Sequence, residues 1–259
     1  ASCWRTWSPA PAPAVRPSVT CSADGAAAPA SPEVKRGGPQ RIPRPPGARL
    51  GDPPAWAALD GDARRPTLDR VRRVLASGPE PRRSPVEGLT SRCSAVLAPL
   101  YEHQDEVHVV LTRRAWHMRS HTGEVSFPGG RQEPGETLWE TALREADEET
   151  GMDPTSVERI GELHHLATVT SRSSIVPFVG VLPGRPRLVP NPDEVDAILH
   201  VPLAELLDPD VYRQERWGLP GLDRPIHFFE IVGDTIWGAT AAMLVDLLTR
   251  ITTPSAEAG

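Results

Sequence analysis

Between Gly130 and Met152 the chain reads Gly130-Arg-Gln-Glu-Pro-Gly-Glu136, then seven residues, then Arg144-Glu145-Ala-Asp-Glu148-Glu149-Thr-Gly151-Met152. The stretch Glu136–Thr150 predicts a helix, and Gly151 predicts its C-cap. At about 100° per residue, Glu145, Glu148 and Glu149 fall at i, i+3 and i+4 and share one face. Leu138, Trp139, Ala142, Leu143 and Ala146 form an apolar stripe centred roughly 90° away. The carboxylates therefore border the buried seam, at the rim of a cleft. Three such groups repel one another, and a hard divalent cation suited to oxygen ligands, Mg²⁺ or Mn²⁺, relieves the repulsion. Mg²⁺ held by few carboxylates keeps waters and takes phosphate oxygens as further ligands, which is the layout for metal-assisted phosphoanhydride hydrolysis. For three glutamates taken alone, the plainer alternative is a solvated acidic face paired to arginine.

The remaining sequence sets the context. With 259 residues, 39% hydrophobic and 24% charged, the chain has enough apolar material for a packed core. Its formal charge of −6, from 28 Lys+Arg against 34 Asp+Glu, argues against general nucleic-acid binding. Cys3, Cys21 and Cys93 form no CxxC pair, which excludes a disulfide scaffold or zinc ribbon. No apolar run approaches the ~18 residues of a membrane span. The expectation is a cytoplasmic protein with no membrane or nucleic-acid partner. Lys35 is the sole lysine, a skew that fits codon usage in a GC-rich genome better than function.

Ten of the 30 prolines fall within residues 1–50, where no apolar period of two or 3.6 residues is visible. Residues 1–54 are therefore expected to be a disordered Pro/Ala-rich tail, basic and without the apolar core of a secretory signal. Residues 55–90 read as a short helix (Leu68, Val71, Val74 and Leu75 at helical spacing) and a linker. Residues 91–252 read as the main domain and 253–259 as a C-terminal tail. Strands are expected over Ala95–Ala98, Val107–Leu111, Ile160–Leu166, Ile175–Leu182, Glu194–Val201 and Ile226–Val232. A short helix is expected over Val201–Leu207 and a final one over Ile236–Ile251. This mixture predicts an α/β fold, a mixed sheet with helices on both faces.

The spacing Gly-x5-Glu-x7-Arg-Glu-Ala-x-Glu-Glu-x-Gly-Met resembles the Nudix box, with all its fixed positions present; Ala146 is small where a bulkier aliphatic is usual. The resemblance implies an α/β/α sandwich around a mixed sheet and hydrolysis of a nucleoside diphosphate linked to another moiety. By position it implies that Glu145 and Glu149 are the main metal ligands and Glu148 a supporting one. It implies that the Gly130 carbonyl joins the metal shell and that Arg144 orients the glutamates. Glu136 matches a mainly structural acid. Homodimers are frequent among such enzymes.

The preceding segment, Leu111-Thr-Arg-Arg-Ala-Trp-His-Met-Arg119-Ser-His-Thr-Gly123-Glu-Val-Ser-Phe127-Pro-Gly129-Gly130, resembles the signature upstream of the box in coenzyme A pyrophosphatases of this superfamily. Arg119, Gly123 and Phe127–Gly130 fall in register, whereas Arg114 stands where that subfamily has a small hydroxyl residue. Asn191–Val195 and Ile236–Ala241 resemble that subfamily too, and the likeness spans about residues 65–252. The implied reaction splits coenzyme A, or a derivative, into 3′,5′-ADP and 4′-phosphopantetheine. Substrate contacts are assigned to Arg119, Arg114 and Gly129; Arg113, Arg131 and Arg172 are further cations for an anionic substrate. Glu194 is the candidate general base from a later loop. The alternatives are a Nudix hydrolase of ADP-ribose, NADH-type or nucleoside triphosphate substrates, or a non-catalytic ligand sensor on the same fold. The histidines show no metal-binding spacing, and His117 and His121 read as loop polarity. Trp116, Trp217 and Trp237 are candidates for stacking on an adenine, with packing the plainer role for Trp237.

Overall fold

The computed structural model describes residues 35–84, 93–118, 120–167, 174–218 and 225–253. In chain order its elements begin with β1 (Arg49–Leu50), α1 (Leu68–Ser77), β2 (Cys93–His103), β3 (Glu106–Arg114), β4 (Val125–Ser126) and β5 (Gly129–Arg131). Next come α2 (Leu138–Thr150), β6 (Glu158–Glu162), β7 (Leu166–Ala167), β8 (Ser174–Val181), β9 (Val195–Pro202) and α3 (Leu203–Leu206). The last are β10 (Tyr212–Arg216), β11 (Pro225–Ile231), β12 (Asp234–Trp237) and α4 (Gly238–Thr252).

Two sheets result among the described residues. The larger runs β4-β3-β2-β8-β6, with β5 on β2, β7 on β8 and β9 on β3. Only β2 and β8 pair parallel within it, so the sheet is mixed. The smaller is the antiparallel sheet β1-β10-β11-β12. The central strands β2, β3 and β8 of the larger sheet are largely buried on both faces, and their side chains alternate between two apolar clusters as strand geometry requires. Ala95, Leu97, Val110, Val176 and Phe178 join Ala142, Ala146 and Met152 of the α2 side. Ala98, Leu100, Val109, Leu111, Val179 and Val181 join Leu244, Leu247 and Leu248 of α4 on the other. The result is the α/β/α sandwich expected from the sequence. The β2–β3 hairpin turns on Gln104 and Asp105, both at positive φ (53° and 62°), which suits a tight two-residue connection.

Several elements depart from the sequence reading. The stretch read as tail over 1–54 enters the fold from Lys35 onward: β1 pairs with β10, and Gln40 is buried against β12. The physical reason is that its partners are strands some 165 residues later, as in Arg49 opposite Arg216, so no local period announces it. Residues 1–34 and 254–259, the rest of the two expected tails, lie outside the described residues. Trp56 is 1% exposed and packs edge-on to Tyr212 (5.3 Å) and flat over Phe229 (6.3 Å). The single strand expected over Ile160–Leu166 is split into β6 and β7 around Leu163–His165. The start of the expected final helix, Ile236 and Trp237, belongs to β12 instead. None of the helices among the described residues is long and apolar enough to cross a membrane.

Trp56 ties the N-terminal segment to the small sheet, and its removal leaves a large cavity. Trp56→Ala is expected to lower unfolding stability by about 3–5 kcal/mol, read from the urea midpoint. A loss below about 1 kcal/mol would mean that the segment does not depend on this contact.

Candidate active site

The helix that carries the glutamates is fixed at both ends. At its start the Thr137 hydroxyl accepts from the Glu140 N–H (3.2 Å) and the Glu140 carboxylate accepts from the Thr137 N–H (2.7 Å), a reciprocal capping box. At its end Gly151 adopts a left-handed conformation (φ 65°) and donates its N–H to the Asp147 carbonyl. Ala142 and Ala146 are buried against the sheet, which fixes the helix's rotation. The small Ala146 side chain allows α2 to lie close on it.

Arg144 then organises the acids beside the buried face. Its Nε donates to Glu136 at 2.6 Å, one terminal nitrogen to Glu145 (3.0 Å) and Glu148 (2.9 Å), and the other to the Arg131 carbonyl (3.1 Å). The Glu136 carboxyl is held down at about 2, first by Arg144 and then by the Glu133 N–H. Glu136 thus serves the loop and the arginine, as a structural acid would. Glu148 is exposed, and one guanidinium nitrogen of Arg144 holds it together with Glu145.

Glu145 and Glu149 lie deeper. Burial raises Glu145 above the usual carboxylate range; Arg144 opposes this, and the charges of Glu148 and Glu194 reinforce it. Glu149 is 5% exposed, and its carboxyl is pushed up to about 8, first by burial and then by Glu145 and Glu194, with Arg114 opposing. It accepts a long hydrogen bond from the Thr112 hydroxyl at 3.4 Å. Gly130, on β5, presses its backbone against the Glu145 carboxylate: a Cβ there would overlap it. Gly129 is equally tight against β2, where a Cβ would meet Ala95 and Val96.

Glu194 comes to this pair through its loop. The Asn191 N–H donates to the Glu149 carbonyl (2.9 Å), the Glu194 N–H to the Asn191 carbonyl (3.1 Å), and the Ala115 N–H to the Glu194 carbonyl (2.8 Å). The loop is therefore bonded to the end of α2 and the end of β3. Arg114 faces Glu149, and its Nε is buried with no hydrogen-bond partner among the described residues. Of the further cations, Arg113 is committed elsewhere, donating to Asp196 (2.9 Å) and Asp234 (2.8 Å), so it is not a free phosphate ligand. Arg131 is exposed, while Arg119 and Arg172 lie outside the described residues. Sequence reasoning missed Thr112; the available signal was a hydroxyl inside the otherwise apolar run of β3. His117 meets the Asp193 carbonyl and His121 meets Glu124, with no shared ligand.

Among the described residues no three carboxylate, imidazole or thiolate groups converge as a ready-made metal cage. The donor chemistry nonetheless fits a hard divalent ion. Buried Glu149 has one long hydrogen bond and two neighbouring carboxylates, a local excess of negative charge that a divalent cation offsets.

A NUDIX domain model matches residues 91–219. Nudix hydrolase 3 of Caenorhabditis elegans is 37% identical over 173 residues, covering 61% of this chain and 72% of the relative. The chain belongs to the Nudix hydrolase family. Nudix hydrolase NudL of Yersinia pestis (strain Pestoides F) is 34% identical, covering 62% of this chain and 81% of the relative. A MutT/nudix family protein from Enterococcus faecalis superposes with a TM-score of 0.45 at 14% identity, covering 71% of this chain and 69% of that one. Membership in this family, carried by the domain match and the two relatives, makes the chain a phosphoanhydride hydrolase, and Nudix hydrolases generally use divalent metals.

The buried carboxyl has a pH consequence. The folded protein keeps the Glu149 proton up to about pH 8, whereas the unfolded chain releases it near the ordinary glutamate value of 4.5. Stability therefore falls as pH rises through that window and is unaffected by this group below it. With chelator present, Glu149→Gln should gain thermal stability relative to the parent protein as pH is raised from about 5 to about 8. Equal pH slopes of Tm for the two proteins would show that the carboxyl ionises without cost.

Proposed function

We propose that this Nudix hydrolase splits the diphosphate of coenzyme A, or of an acylated or oxidised derivative, into 3′,5′-ADP and 4′-phosphopantetheine. One observation supports the reading: both ends of the stretch that resembles the coenzyme A pyrophosphatase signature lie against the carboxylate pair. Its Thr112 and Arg114 face Glu149, and its Gly130 lies against Glu145.

In this reading Glu145, Glu149 and the Gly130 carbonyl hold Mg²⁺ or Mn²⁺, with Glu148 in support. The ion supplies polarisation of the diphosphate oxygens and of the attacking water. Arg144 holds Glu145 and Glu148 in place through two charge-assisted hydrogen bonds. Glu194 takes the proton of the attacking water on a carboxylate oxygen, a role supported by its position facing both Glu145 and Glu149. The water oxygen bonds to one phosphorus, the bridging P–O bond breaks, and two phosphomonoesters leave. Arg114 and Arg119 hold phosphate oxygens and offset the growing negative charge. Gly129 keeps the loop backbone close to β2, leaving room for the substrate.

The guanidinium at position 114 favours, as second reading, another nucleotide diphosphate such as ADP-ribose or an NADH-type dinucleotide. Mass spectrometry of the products formed from each compound with Mg²⁺ or Mn²⁺ separates the two; turnover of ADP-ribose with none of coenzyme A defeats the first. Glu145→Gln is expected to lower kcat by about two to four orders of magnitude while leaving the far-ultraviolet circular dichroism unchanged. Retained turnover in that variant would overturn the metal assignment.

A further inference from the structure

Among the described tryptophans, four have their faces covered. Trp56 is in the core, Trp139 packs on Phe178 (5.4 Å) under Arg159, and Trp217 and Trp237 stack on each other (6.2 Å). Trp116 differs: it is 43% exposed, the one aromatic among the exposed large apolar residues described.

Trp116 is also held rigidly. One side of its indole lies on Gly123, where a Cβ would overlap the ring and where φ is +67°, so glycine alone suits both the space and the backbone. The Gly123 carbonyl is in turn fixed by the Gln40 amide (3.1 Å), which also donates to the buried Asp234 (2.7 Å). On either side of Trp116 in the chain, Ala115 bonds the Glu194 carbonyl (2.8 Å) and His117 the Asp193 carbonyl (3.1 Å). An aromatic plate is thus pinned between two fixed loops, two residues from Arg114, the cation that faces Glu149.

A large aromatic surface left in water has no folding benefit, and fixing it in place costs entropy. A flat ligand that covers it at the rim of a diphosphate site is a base. We propose that Trp116 is the stacking platform for the purine of the substrate's nucleoside half, setting the orientation in which the diphosphate reaches Glu145 and Glu149. This deepens the proposed function, since it rests on the carboxylate cluster being the hydrolytic site, but it holds for any purine nucleoside diphosphate.

The test uses ligands that are not hydrolysed. Equilibrium titration of the full chain with adenosine 5′-(α,β-methylene)diphosphate is compared with titration by methylenediphosphonate, which has no base. Trp116→Ala is expected to weaken the first about tenfold and to leave the second within about twofold, with Trp116→Phe recovering most of the loss. On the hydrolysed substrate the same change should lower kcat/KM by about tenfold, mostly through a raised KM. Equal affinity of Trp116→Ala and parent for the adenosine analogue overturns the proposal. So does an equal loss for both ligands, or no binding of the analogue by the parent protein. If coenzyme A is not cleaved yet the adenosine-specific loss persists, the platform stands and the coenzyme A reading fails. If coenzyme A is cleaved and Trp116→Ala binds as the parent does, only the platform fails.

Discussion

A carboxylate set into the edge of an apolar core is costly unless something positive meets it, and Glu149 is such a group. Arg144 cannot serve it, because its donors go to Glu136, Glu145, Glu148 and the Arg131 carbonyl. The Thr112 hydroxyl is too distant to satisfy it. Arg114 is the cation that faces it, opposed by the charges of Glu145 and Glu194. Once Glu149 ionises the local balance is therefore negative, in a place where water does not screen it well. Such an arrangement is a poor device for stability and a suitable one for capturing a hard cation and the phosphates that accompany it.

The fold reaches this arrangement by fixing each participant separately. The capping box and left-handed glycine set the length of α2, and Ala142 and Ala146 set its rotation on the sheet. Gly130 of β5 brings its backbone against the Glu145 carboxylate, which a side chain there would displace, and Gly129 lies close on β2. The Glu194 loop hangs from the Glu149 carbonyl and from Ala115. On the far side of the loop after β3, Gln40 and Asp234 hold Gly123, and Arg113 joins Asp196 to Asp234. The N-terminal segment thus contributes directly to the shape of the site's wall, which explains why Gln40 is buried although its neighbours in sequence are mostly exposed.

What was legible in the sequence follows from where each element finds its partners. The α2 helix, its glycine cap and its glutamate face were readable because helical contacts lie within four residues. The long central strands were readable as apolar runs because both their faces are covered. β1, β10 and the entry of residues 35–54 into the fold were not, because a polar strand such as Tyr212–Arg216 is stabilised by partners outside its own local period. Arg113 illustrates the same limit within the site. Its sequence position beside Arg114 and Arg119 suggested a phosphate ligand, but Asp234, over a hundred residues later, holds its guanidinium. The shared hold of Arg144 on Glu145 and Glu148 was equally invisible, since a helical wheel gives a face and not the rotamers that the arginine selects.

Arg114 is where fold and specificity meet. A small hydroxyl at this position would leave Glu149 facing only like charges, so it would depend fully on the bound ion. The guanidinium here already offsets part of that charge, while its buried Nε lacks an acceptor. A phosphate oxygen seated beside Glu149 would supply that acceptor and relieve an unsatisfied donor, a group whose burial costs about 1–3 kcal/mol. The same arginine would then be pulled from the carboxylate toward the substrate as the ion takes its place. In the proposed site a guanidinium at position 114, unlike a neutral hydroxyl, would therefore serve the diphosphate as well as the carboxylate.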